Sequence, residues 1–193
     1  CVGQRGVRIQ AIVRELHDEK IDVIEWNPDA AVYISKAISP ARVSGVYLNH
    51  GKGDDKTAMV VVPEDQLSLA IGREGQNARL AAKLTGWRID IMSVSEAASK
   101  ALVQLRSDPG LAKLAAEETD TMARVETLLE QKEEGRVLNL DDSNLIARFV
   151  DRVEKRGEAD RKVGEDARQA EIRKIRESID PRAFELNLFD VSE

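Results

Sequence analysis

The first half of this chain predicts an α+β fold, and the second half a mostly α-helical, charged extension. Three observations carry that reading. Through residues 1–95, apolar stripes at helical spacing alternate with β-rich runs. A Gly-x-x-Gly stretch followed by a helix and an Ile-Asp strand occurs twice, at Gly3–Gly6 and, 69 positions later, at Gly72–Gly75. Beyond Ser95 the β-rich runs stop and dense mixed charge takes over.

The elements follow in order. "VRIQAIVREL" (7–16) sets Ile9, Ile12, Val13 and Leu16 on one helical stripe, which is read as its core side. "KIDVIEW" (20–26) reads as a strand, and Asn27-Pro28-Asp29 as a break and a helix start. "AAVYISKAI" is a short helix stopped at Ser39-Pro40. "RVSGVYL" and "KTAMVVV" are strands joined by the hairpin-type loop "NHGKGDDK". Pro63 opens a short helix through Ala70, with Glu64 and Asp65 in its first turn. A helix from Gln76 to Leu84, the turn Thr85-Gly86 and the strand "WRIDIM" complete the half. Residues 29–93 thus read α-β-β-α-(Gly-x-x-Gly)-α-β, and residues 1–26 read (Gly-x-x-Gly)-α-β. Ile21-Asp22 matches Ile89-Asp90 at an offset of 68, so the connecting turn differs by one residue. Further on, residues 96–106 are helical, and Asp108-Pro109 starts a helix to about Glu134. Asp141, Asp142 and Ser143 cap another that runs to about Ser178, weakened by Gly157 and Gly164 and stopped by Pro181. The tail "FELNLFDVSE" is acidic, with two Phe residues.

The predicted domains are therefore 1–27, 28–95 and 96–193. The chain opens on Cys1 and not Met, and the first copy lacks the upstream α-β-β-α part. It is therefore read as a fragment of a longer protein. The net charge is -6, so a nucleic-acid contact must come from a local patch and not the global field. Residues 1–96 carry 12 basic and 13 acidic side chains, and residues 97–193 carry 17 and 22. The first 14 residues hold Arg5, Arg8 and Arg14 and no acid. One cysteine excludes a disulfide framework and fits a cytoplasmic setting. No apolar run reaches the ~20 residues that span a bilayer, and no signal peptide is visible.

The paired glycines point to phosphate chemistry. Glycine takes positive φ cheaply, and without a Cβ it lets a phosphodiester approach the main chain. The helix that follows offers free N–H groups and the positive end of its dipole. The candidate contacts of the first loop are Gly3, Gln4, Arg5, Gly6 and Arg8. Those of the second are Gly72, Arg73, Glu74, Gly75, Gln76 and Asn77. Gln10 and Arg79 follow at equivalent helical positions, and Ile9 and Ile71 line a groove for bases. Gln76, Arg79 and Lys83 share one side of their helix, separate from a core side of Leu80, Ala81 and Leu84. Glu74 opposes phosphate, so the second loop is electrostatically the poorer of the two. A single Gly-x-x-Gly is more often a plain helix joint; two framed copies favour the functional reading.

Other residues carry ordinary roles. His17 and His50 lack ligand partners at metal-binding spacing, so no metal or cofactor is expected. Trp26 and Trp87 are read as packing residues in preference to base-stacking ones. "GKGDDK" is not a phosphate-binding P-loop, since no Gly-Lys-Ser/Thr follows. No nucleophile–base set is present, and the chain is read as non-enzymatic.

The order α-β-β-α-α-β around "DQLSLAIGREGQN" and "LTGWRIDI", with the upstream "CVGQRGVRIQ" and "EKIDVI", resembles the KH family of the type II (prokaryotic) kind. It is similar in particular to the tandem KH regions of bacterial transcription termination and antitermination factors. The resemblance covers about residues 1–95. It implies tandem KH modules, the first incomplete, whose Gly-x-x-Gly loops clamp about four nucleotides of single-stranded RNA. It also implies association with RNA polymerase through parts normally preceding these modules, and contact with other elongation-complex proteins. Two rival readings keep the fold: the RNA-anchoring KH part of a GTPase or ribonuclease, and a protein-interaction scaffold.

Overall fold

The computed structural model describes residues 2–51 and 55–178. The chain divides into two compact units, Cys1–Glu96 and Ala97–Glu193.

In the first unit a 3-10 turn, Gln4–Gly6, leads into α1 (Val7–Glu15). Residues 20–26 are not a strand, contrary to the reading of "KIDVIEW". A strand exists only where a neighbour takes its hydrogen bonds, and none of the described strands pairs with this segment. Its Val23 and Trp26 stay 55% and 69% exposed, so Trp26 does not pack as expected. Ile24 alone reaches the core. α2 (Ala30–Ala37) begins where Asp29 accepts hydrogen bonds from the Ala31 and Val32 amides at 2.9 and 3.2 Å, a side-chain N-cap.

β1 (Gly45–His50) and β2 (Lys56–Val62) form the antiparallel hairpin, in register from Gly45 opposite Val61 to His50 opposite Lys56. β3 (Arg88–Ser93) lies parallel to β2 on its other side, so the sheet order is β1-β2-β3. A parallel neighbour requires a crossover, which α3 (Leu67–Ile71) and α4 (Gln76–Thr85) supply. β2 is central and buried on both faces from Ala58 to Val62, which explains its unbroken apolar run. The core joins Ile34 and Ile38 of the α2 region, Ala58, Val60 and Val62 of β2, and Ala70, Ala81 and Trp87. Trp87 therefore packs as predicted, with the His50 ring edge-on to it at 5.1 Å.

The core side of α4 differs from the one read off the sequence. Ala81 is buried, but Leu80 and Leu84 are 57% and 47% exposed. The helix packs by its alanine face, because small side chains let it lie close to α2 and the sheet. On α1, likewise, Ile12 and Leu16 are about half exposed, while Ile9 and Val13 are partly covered.

α5 (Val94–Ser107) starts with a capping box: the Ser93 amide donates to Glu96 at 2.8 Å, and the Glu96 amide donates to the Ser93 hydroxyl at 3.2 Å. In the second unit, Asp108 caps the Pro109–Leu111 turn before α6 (Ala112–Glu117) and α7 (Thr119–Glu133). The single helix expected to Glu134 is thus two, broken at Glu118, whose buried carboxylate meets Arg152 Nη1 at 2.6 Å. α8 (Leu140–Ser178) is capped by Asn139, not by residues 141–143. The Asp142 amide donates to Asn139 Oδ1 at 2.7 Å, and Asp142 accepts from the Asn139 amide at 3.4 Å. α8 runs through Gly157 and Gly164. A glycine costs a helix ~1 kcal/mol, and flanking i,i+4 pairs such as Asp151–Lys155 and Arg156–Asp160 offset part of it. Pro181 and the acidic tail lie outside the described residues.

Candidate nucleic-acid interface

The two glycine loops have the same backbone. Gly3 and Gly72 stand at φ 76°, ψ 169° and φ 74°, ψ 175°. Arg5 and Glu74 stand at φ 53°, ψ 24° and φ 54°, ψ 25°. Gly6 and Gly75 stand at φ 75°, ψ 13° and φ 74°, ψ 18°. Three of the four loop residues thus have positive φ in each copy, and the third and fourth are left-handed helical. For Arg5 and Glu74 this conformation costs ~1–2 kcal/mol. Sequences with opposite charge at the third position therefore arrive at one shape, and they carry backbone strain to do so.

The first and second glycines have different physical roles. A Cβ on Gly72 would sit 2.6 Å from Asn77 Cγ, and one on Gly3 would sit 2.9 Å from Arg8 Cγ. Asn77 and Arg8 are equivalent residues, each folded over the first glycine of its loop. The Asn77 amide donates to the Leu69 carbonyl at 3.0 Å, tying α4 back to the end of α3. At Gly75 only an Arg79 guanidinium nitrogen comes as near as 4.0 Å, and at Gly6 only Ile9 Cγ2, at 3.6 Å. The second glycine thus leaves open the space through which another backbone can approach.

Gly6 and Gly75 are also the N-cap residues of α1 and α4, and neither helix has a side-chain cap or an acid in its first turn. Both helix N-termini are thereby left to an outside acceptor. Beside the second loop an open recess of ≈ 510 Å³ is lined by Arg73, Glu74, Gln76, Arg79, Leu80 and Lys83. The predicted polar row of α4 therefore gathers there. Arg79 donates from Nη2 to the Glu74 carbonyl, so part of its hydrogen-bonding capacity holds the loop in shape.

Gln4, Arg5, Arg8, Gln10, Arg73, Glu74, Gln76 and Arg79 are all exposed, while Ile9 and Ile71 are half-buried beside their loops. Leu80 is the lining residue that the sequence reading missed. Its apolar side chain pointed to the core, and only the alanine face of α4 signals otherwise. Among the described residues no three potential metal ligands cluster, and no helix is long and apolar enough to cross a membrane.

Comparison with known proteins matches this architecture. Residues 1–26 match the NusA-like first KH domain and residues 30–99 the NusA-like second KH domain. The transcription termination/antitermination protein NusA of Halalkalibacterium halodurans is 54% identical over 104 residues, covering 54% of this chain and 26% of that protein. NusA of Bacillus subtilis is 54% identical over 97 residues, covering 50% and 25%. NusA of Mycobacterium tuberculosis is 53% identical over 91 residues, covering 47% and 26%. The matched region spans about a quarter of the length of these relatives. By these matches, residues 1–26 and 30–99 form a tandem of NusA-like KH domains.

Proposed function

We propose that residues 1–99 bind one single-stranded RNA through both glycine loops, as the RNA-holding part of a transcription elongation, termination and antitermination factor that acts with RNA polymerase. The observation that carries this is the identity of the two loop backbones despite the exchange of Arg5 for Glu74. Conformational strain at matching positions is retained where a shape is used, and this shape presents two uncapped helix N-termini. In this reading Gly6 and Gly75 admit the sugar-phosphate, and Arg5, Arg8 and Arg73 supply charge. Arg79 braces the second loop, and Gln4, Gln76 and Gln10 offer amides. The first loop makes the stronger phosphate contact, because Arg5 occupies the place that Glu74 takes in the second. The region holds RNA and performs no chemistry on it.

Fluorescence anisotropy with a short single-stranded RNA and a duplex of the same sequence tests this. Single strands should bind and the duplex should not. Affinity should fall with salt at a log–log slope of about -0.7 per phosphate contacted. Equal binding of both forms would overturn the reading.

A further inference from the structure

The helical unit contains a basic recess that RNA binding by the glycine loops does not use. α7 and α8 pack against each other with Val125, Leu128, Ile146 and Phe149 buried. Along this seam lies a recess of ≈ 380 Å³. Arg124 enters it from α7, and Arg148 and Arg152 enter it from α8, with Asn144 and Leu145 between them. Thr121 and Asp141 close its rim. Arg152 is held by the buried Glu118 carboxylate at 2.6 Å. Arg124 and Arg148 have no acidic partner among the described residues. Residues 97–193 hold 22 acidic side chains against 17 basic, so acids are in excess, yet none of the described ones pairs with these two arginines. With Arg152 met by Glu118, the lining is left with Arg124 and Arg148 against the single carboxylate of Asp141, a net positive charge that an entering anion offsets.

We propose that this recess docks an acidic, amphipathic peptide segment of a partner protein. The planar guanidinium forks of Arg124 and Arg148 suit carboxylates in bidentate geometry. Leu145 offers an apolar contact to a neighbouring side chain of the peptide, and the Asn144 amide pairs with its main chain. RNA fits the recess less well. No aromatic side chain lines it for base stacking. The site lies wholly within the second unit and stands independently of the RNA reading.

The test uses the full chain and a fluorescein-labelled synthetic peptide of Glu, Asp and Leu. The peptide should bind with salt-dependent affinity. The double variant Arg124→Glu/Arg148→Glu should bind it about tenfold more weakly or worse. Circular dichroism should show unchanged helicity, because both side chains are exposed. If that variant loses its fold, Arg124→Gln/Arg148→Gln keeps the side chains polar and of similar length, and should show the same direction of loss. Replacing both with Lys should recover part of the affinity, since charge returns without the fork. Absence of peptide binding, or equal binding by the glutamine variant, would overturn the proposal. A loss of single-stranded RNA affinity in the same variants, with RNA displacing the peptide, would overturn it in favour of a nucleic-acid site.

Discussion

At the scale of the residue, the first and second glycines of each loop respond differently to the same change. Gly75→Ala adds a Cβ in open space at a left-handed φ and should cost about 1 kcal/mol in urea unfolding. Gly72 stands at φ 74°, ψ 175°, a region open essentially to glycine alone, and Gly72→Ala also displaces Asn77 from Leu69, so it should cost about 2–3 kcal/mol. Equal costs in the two variants would contradict this difference between the glycines. Glu74→Arg makes the second loop electrostatically like the first. It should raise affinity for single-stranded RNA and steepen the salt slope by about 0.7. An unchanged slope would place the Glu74 position away from phosphate. Sequence alone located all four glycines, because Gly-x-x-Gly in two matching frames is a local signal. It did not reveal that Asn77 and Arg8 fold over the first glycine, that Arg79 holds the Glu74 carbonyl, or that Arg5 and Glu74 are left-handed. Those are properties of a closed loop, and the one-dimensional pattern does not contain them.

At the scale of the element, local chemistry set most boundaries and the neighbours set the rest. The hairpin, the crossover helices and β3 were legible from periodicity and turn residues. The segment 20–26 was not, since alternation marks strand propensity and says nothing about a partner edge. The faces of α1 and α4 were misassigned because large apolar residues were taken for the core, whereas the alanines of α4 do the packing. The extended segment is held to α2 by Glu25, whose carboxylate accepts from Lys36 Nζ at 2.5 Å. That hydrogen bond, and then the charge of Lys36, lower the Glu25 pKa below its ordinary 4.5. A carboxyl depressed on folding stabilises above its unfolded value, and the benefit is lost as pH falls through the folded value. The thermal midpoint of wild type should therefore exceed that of Lys36→Met at neutral pH, and the gap should close below about pH 4.5. A gap that persists in acid would assign the effect to packing of the lysine stem. In the second unit, Asn139→Ala removes the cap of α8 and should cost about 1 kcal/mol.

At the scale of the whole molecule, the chain joins a unit with two glycine loops of one shape to an acidic helical unit with a different surface chemistry. The excess of acid explains why global charge gave no hint of nucleic acid. The signal for the proposed RNA binding sits in a handful of residues around two loops, and averaging over 193 positions erases it. The helical unit was legible only as helices, because mixed charge at helical spacing specifies solvation and not a partner. Its break at Glu118 needed the buried pair with Arg152 to be seen. In the proposed reading both loops admit the backbone of one RNA at their second glycines. Asp tolerates the left-handed region better than most residues, and Gly6 and Gly75 have room in front of them. Single-stranded RNA affinity of Gly6→Asp, Gly75→Asp and the double variant, each shown by circular dichroism to be folded at the assay temperature, measures this directly. Each single variant should lose affinity, and the double variant should lose more. Wild-type affinity in a folded double variant would contradict it.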